Sequence, residues 1–407
     1  MSERTYDVVV WGASGFTGRL VVEYMHRVYG SAGEVRWAVA GRSEQKLKEV
    51  LQEVVGSVDI PMVIAESHDE ASLRRLVEQS KVVCTTVGPY AKYGSLLVKL
   101  CAETGTHYVD LTGEVHWMRK MIDQHHVEAE KSGARIVHTC GFDCIPSDLG
   151  VFFLQQAMLE KHGVYSPRVK FRVAKTSGGV SGGTIDSAMN MMEEAKVDPS
   201  ILTLMSDPYA LNPLNMPRGE DGKDQTSVVF DEDFQQWTTP FVMAGVNTRV
   251  VRRSHSLMGY PWGSNFRYDE TVLVGDGPGG FVKAWLTTAA TGLLVAFTAF
   301  TWTRKLLVRL APSPGEGPSE EAIRNGFFNI KLFAAHPDDS ERNMVAIVTG
   351  DRDPGYGATS KMIAESAVCL AKDDLDTPTG VLTPSVAMGQ KLIDRLQQNA
   401  GMAFTLQ

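Results

Sequence analysis

Gly12, Gly15 and Gly18 follow a short uncharged run, VVVW, near the head of the chain. A glycine turn between a strand and a helix can do one specific kind of chemistry. Gly12 allows the tight turn, Gly15 lets backbone N–H groups approach a pyrophosphate at the positive helix end, and Gly18 lets helix and strand pack closely. The spacing is G-x-x-G-x-x-G rather than the commoner G-x-G-x-x-G. With Ser14, Phe16 and Thr17 between them, these glycines are the candidate pyrophosphate set. The next strand, residues 34–40, ends in Gly41, Arg42 and Ser43. A coenzyme without a 2′-phosphate calls for a carboxylate here. This chain offers a guanidinium and a helix-capping hydroxyl, which suit a 2′-phosphate, so the expected coenzyme is NADP(H).

Further along, Val87, Gly88 and Pro89 follow the fourth strand, where a glycine lets the chain pass close to the nicotinamide ribose. Tyr90 and Tyr93 come next, and a phenol there could donate a proton or simply pack. Asp110 and Asp143 follow the next strand ends, positions from which a carboxylate holds ribose or substrate or caps a helix. Tyr90 and Asp143 are the candidate catalytic residues. No Tyr-x-x-x-Lys occurs in the chain, which removes the short-chain dehydrogenase machinery. His107 and His138 lie within strands and read as core residues. Cys140 and Cys144 with His138 lack a fourth ligand at zinc-like spacing, so no metal is expected.

These residues need a frame that brings strand ends together. Six short apolar strands, near residues 6–11, 34–40, 60–65, 81–87, 106–109 and 135–139, alternate with helical patterns. Such alternation predicts an α/β fold with a Rossmann-type doubly wound parallel sheet, whose ligands sit beyond the C-terminal strand ends. After GFDCIPSD the pattern changes. Strands near 169–174, 248–254 and 266–275 are separated by a polar loop near 207–227, and this grouping predicts an inserted α+β domain with an antiparallel sheet. Ser181-Gly182-Gly183-Thr184 within it reads either as an anion-holding turn or as an ordinary helix cap. The expected boundaries are 1–145, 146–350 and 351–407, with C-terminal helices returning to the first domain.

Residues 284–303 form a twenty-residue run without charge, diluted by six threonines and flanked by Lys283 and by Arg304, Lys305 and Arg309. As a helix it would cover about 30 Å. Spanning a membrane, lying in a membrane or lipid-droplet surface, and forming a core helix are the three readings. Surface attachment is favoured, because a mid-chain span would separate the C-terminal part from a sheet that it completes. Net charge is −8, which argues against nucleic acid as a partner. Five cysteines, an odd number set in apolar runs, suit a reducing compartment. With no apolar run in MSERTYD, the expected location is cytoplasmic at a membrane or droplet surface.

The segments GASGFTG, AGRS, TTVGPYAKYG, YVDLTGE and GFDCIPSDLG together resemble the saccharopine dehydrogenase-like oxidoreductase family, and within it the mycobacterial trans-acting enoyl reductases. Weaker echoes, VSGGT, NTRVVRRS, FRYDE and VLTPSVAMG, extend the resemblance over nearly the full length. It implies a Rossmann domain with an inserted α+β domain, and NAD(P)H-dependent reduction of a C=C or C=O bond in a lipid or glycolipid intermediate. It also implies a lipid-droplet or membrane setting, as in animal relatives. Two alternatives remain: a reductase of a small imine or amino-acid-like substrate, and a non-catalytic nucleotide-binding membrane protein. A homodimer is left open.

Overall fold

The computed structural model describes residues 4–31, 33–178, 190–191, 193–299 and 317–407, and side chains except those of 294–299. The chain divides into two compact units. One comprises Met1–Ile145 with Gly355–Gly401, and the other Pro146–Pro354 with Met402–Gln407.

The first unit opens with β1 (Tyr6–Trp11), whose residues 7–11 are fully buried, and continues into α1 (Phe16–Tyr29). β2 (Trp37–Gly41) and α2 (Glu44–Val54) follow, then β3 (Met62–Ile64) and α3 (Glu70–Gln79). Ser43 and Asp69 cap the two helices by accepting hydrogen bonds from Lys46 N and Ala71 N. β4 (Ser80–Thr85) leads through the short α4 (Tyr90–Tyr93) into α5 (Ser95–Thr104). β5 (His107–Val109), α6 (Val115–Ser132) and β6 (Arg135–Val137) complete the six expected strands. Every pair in this sheet is parallel, and β1 lies between β2 and β4. The winding direction therefore reverses at β1/β4, the point where open α/β sheets bind ligands.

The second unit begins with α7 (Gly150–His162), β7 (Arg168–Ser177) and α8 (Ser200–Ser206). β8 (Val229–Asp231) and β9 (Gln236–Pro240) form a hairpin that the sequence pattern does not announce. The run TRVVRRS, expected as a strand, is instead part of α9 (Ala244–Leu257). Its arginines sit at helical spacing, are buried, and hold the long loop before it. Arg249 donates to Asp224 and Met205 O, Arg252 to Asp221 and Pro208 O, and Arg253 to Leu211 O. A loop rich in carbonyl acceptors thus decides the structure where local alternation pointed to a strand. β10 (Arg267–Gly275) runs into α10 (Gly277–Ala299). α11 (Glu320–Asn325), β11 (Phe327–Ala335) and β12 (Met344–Gly350) close this stretch. The sheet is mixed rather than wholly antiparallel, because β7 and β10 pair in parallel.

The chain then returns to the first unit. A π-turn at Pro354–Ala358 leads into α12 (Thr359–Lys372), which is almost entirely buried against α1, β1 and β4. Its Glu365 accepts hydrogen bonds from Tyr24 (2.7 Å) and Tyr29 (2.6 Å) and so fastens α12 to α1. β13 (Gly380–Leu382) adds a seventh parallel strand beside β6, followed by α13 (Pro384–Ala387) and α14 (Gly389–Asn399). The terminal β14 (Met402–Leu406) pairs with β12, so the last residues belong to the second sheet rather than to the first unit.

The apolar run 284–303 is described as helix up to Ala299, and its last four residues lie outside the described residues. Phe281, Val282, Trp285, Leu286 and Leu293 are exposed, Leu286 to 67%. The core-helix reading therefore fails for this part of the run. Among the described residues, no helix is long and apolar enough to cross a membrane. Ser181-Gly182-Gly183-Thr184 also lies outside the described residues.

Candidate dinucleotide site

Two of the three glycines of the turn, Gly12 and Gly18, leave no room for a side chain. Gly12 adopts φ +91°, and a Cβ there would meet Val87 Cγ2 at 2.6 Å. At Gly18 a Cβ would lie 2.1 Å from the carbonyl oxygen of Gly12, so α1 packs directly on the turn. Gly15 is exposed and donates its N–H to Gly12 O at 2.9 Å. It begins α1 with no side-chain cap. The N–H groups of Phe16, Thr17 and Gly18 find no acceptor among the described residues, which is the arrangement that holds an anion. Ser14 stands half-buried in the turn. A cradle that excludes Cβ atoms, facing uncommitted N–H donors, fits the pyrophosphate of a dinucleotide.

Arg42 is exposed at the end of β2, with no hydrogen-bond or ion-pair partner among the described residues. Ser43 beside it accepts from Lys46 N as the cap of α2. A free guanidinium next to a helix N-terminus fits a 2′-phosphate.

The loop after β4 touches the glycine turn. Thr86 N donates to Trp11 O at 3.0 Å, and Val87 N to Thr85 Oγ1 at 3.2 Å. Val87 and Pro89 are half-buried, while Gly88 is exposed. This loop is held from a distance by Glu114, whose buried carboxylate accepts from Tyr90 N (2.9 Å) and Ala91 N (2.8 Å). Sequence reasoning missed that role, although Glu114 closes the YVDLTGE segment.

Tyr90 does not stand as a proton donor. Its hydroxyl donates to Thr85 O and accepts from Leu111 N, and its ring stacks on Trp117 at 5.7 Å. Burial pushes the phenol well above its usual range, with the nearby Asp110 carboxylate adding to it. Tyr90 is a wall that ties the ends of β4 and β5 together. Asp110 is also structural: it accepts from Thr112 N and Thr139 N and pairs with His138 Nδ1 at 2.7 Å. His107 accepts from Arg135 N, and burial lowers it to about 4, so it is a neutral core histidine.

Asp143 differs from these groups. It is half-buried beyond β6, and no described residue bonds to it or pairs with it. Burial alone pushes its carboxyl up to about 6. Its neighbourhood is closed by α12: Phe142 N donates to Thr359 Oγ1 at 2.9 Å, and a Cβ on Gly141 would meet Leu111 and Thr359. One residue before α12, Ala358 follows Tyr356 and Gly357, and the Tyr356 ring meets Phe16 edge-on at 4.7 Å. The returning segment therefore lines the same sheet edge as the glycine turn. The only sequence signal for it is the PGYG turn ahead of an apolar helix. The five cysteines are all buried and form no disulfide, and no cluster of metal-ligating residues occurs among the described residues.

Comparison with known proteins agrees with this geometry. The saccharopine dehydrogenase NADP binding domain family matches residues 8–137. A Mycobacterium tuberculosis protein named among the trans-acting enoyl reductases is 38% identical over 406 residues, covering 97% of this chain and 96% of its own. The trans-acting enoyl reductase of Mycobacterium leprae is 34% identical with the same coverage. Among solved structures, apo saccharopine dehydrogenase (L-Glu forming) from Saccharomyces cerevisiae superposes with a TM-score of 0.54 at 12% identity. It covers 98% of this chain and 99% of that one, a likeness of fold. The chain is a member of the saccharopine dehydrogenase-like family, an oxidoreductase that uses NADP(H).

Proposed function

We propose that this oxidoreductase reduces the C=C bond of an enoyl lipid intermediate, taken from a membrane or lipid-droplet surface. The observation that carries the choice of bond is full-length identity of 34–38% with chains named for enoyl reduction. The exposed apolar face of α10 supports a lipid-like substrate and a surface from which to take it.

Bound NADPH supplies the hydride. The chain must hold the coenzyme, keep water from the reacting bond and provide a proton. The N–H groups of Phe16, Thr17 and Gly18 hold the pyrophosphate, and Arg42 holds the 2′-phosphate. Val87, Gly88 and Pro89 line the path to the nicotinamide ribose. Saturating the double bond takes a proton as well as the hydride, and the Asp143 carboxyl would give that proton to the carbon left carrying the electron pair. One C=C bond is lost and two C–H bonds form, so hydride and proton together account for both new hydrogens. A carboxyl with a pKa near 6 is suited to this, since part of the population is protonated at working pH.

The test is NADPH consumption by the purified chain with a long-chain enoyl substrate presented in vesicles, followed by mass analysis of the product. A gain of two hydrogens at the double bond is expected. Turnover of a small imine with none of the enoyl lipid would overturn the proposal.

A further inference from the structure

Outside the hydride site, the first unit carries an exposed pair of rings that the proposed chemistry does not use. His68 lies beyond the end of β3 and is exposed, and Tyr93, at the end of α4, is 38% exposed. Their ring centroids are 5.7 Å apart, with planes inclined by 47°. β3 and β4 are not neighbours, for β1 and β2 lie between them in the sheet. The two side chains therefore meet across the C-terminal ends of those two strands, one ending in the glycine turn and the other in Arg42.

We infer that His68 and Tyr93 form the stacking wall for the adenine base of the coenzyme. The inference rests on the coenzyme reading above and extends it to two residues. The pyrophosphate is assigned to the start of α1 and the 2′-phosphate to Arg42. The base is joined to the ribose that carries the 2′-phosphate, so it must lie within a few ångströms of the end of β2. His68 and Tyr93 bracket that end and present open aromatic surface. Every purine has a π-face, and aromatic stacking needs no hydrogen-bond partner on the ring. Tyr93, one of two tyrosines that could have served as acid, is on this reading a base-binding residue.

The experiment is titration of the folded chain with adenosine 2′,5′-bisphosphate and, separately, with nicotinamide mononucleotide, read by calorimetry. Tyr93→Ala is expected to weaken the adenosine ligand by about tenfold, the scale of one lost base–aromatic stack. Tyr93→Phe should retain parent affinity, His68→Ala should weaken it more modestly, and the mononucleotide should bind all variants alike. Unchanged adenosine affinity in Tyr93→Ala would overturn the inference. So would an equal loss of both ligands, which would mean a disturbed loop after β4. Arg42→Ala serves as the separate control. If it binds the bisphosphate like the parent while Tyr93→Ala does not, the phosphate assignment fails and the stacking wall stands.

Discussion

Asp143 and Tyr90 show how environment sorts two residues with similar prospects. Tyr90 has both hydrogen-bonding roles of its hydroxyl filled by backbone groups, whereas Asp143 has no partner among the described residues and a carboxyl pushed up to about 6. A raised carboxyl pKa favours the neutral form in the folded chain. Its contribution to stability is present below the ordinary value near 3.8 and is lost as pH rises through 6. Asp143→Asn should therefore be at least as stable as the parent at pH 8, by thermal melting, yet reduce its substrate about 10²–10⁴ times more slowly. In the parent, kcat/KM for reduction should fall as pH rises above about 6, and this limb should vanish in the variant. Tyr90→Phe should lose about 1 kcal/mol of stability and keep the pH profile. A matching loss of turnover in Tyr90→Phe would return the phenol to the catalytic role. At the same scale, Arg42→Ala should weaken NADPH by about ten- to a hundredfold, the worth of a charge-assisted contact, and leave NADH unchanged.

Elements place these residues, and Glu114 is the element-scale device with the longest reach. Its carboxylate accepts two N–H groups at the start of α4, 24 and 23 residues earlier in the chain. It thereby fixes the loop that carries Val87, Gly88 and Pro89. Glu114→Ala leaves both donors buried without an acceptor and should cost about 2–4 kcal/mol. NADPH affinity should fall with it, while Glu114→Gln, which keeps one acceptor oxygen, should lie between. Six of the seven strands of the first sheet could be read from the sequence because each is a short apolar run closed by a glycine or polar turn. The glycine turn and Arg42 could be read because their meaning is set by the strand just before them. Glu114, Tyr356 and Thr359 could not be read in that way. Their roles depend on contacts with residues far away in sequence, and local patterning carries no sign of those. α9 was misleading for a related reason. Its adjacent β-branched valines, Val250 and Val251, read as a short strand, and only the loop groups that the flanking arginines bind explain why a helix buries them.

For the molecule as a whole, α10 is the feature least like an ordinary enzyme surface. A helix apolar on most sides is normally buried, yet Phe281, Val282, Trp285, Leu286 and Leu293 are exposed. Among the described residues one side is covered: Ala284 is buried, and Trp237 of β9 meets Phe281 at 4.8 Å. With lipid as the occupant, Val282 and Leu286 would each contribute about 1.5–3 kcal/mol on burial. Replacing both by glutamate removes that gain without touching the packed side of the helix. The double variant should fold and bind NADPH like the parent, yet sediment with vesicles at least a hundredfold less well. The basic residues on either side of the run, Lys283, Arg304, Lys305 and Arg309, predict stronger sedimentation with anionic vesicles than with neutral ones, and a loss of that difference in high salt. A second copy of the chain is the competing occupant. It predicts a parent dimer, a monomeric double variant and no vesicle binding by either, and that pattern would move this helix from a lipid surface to a subunit interface.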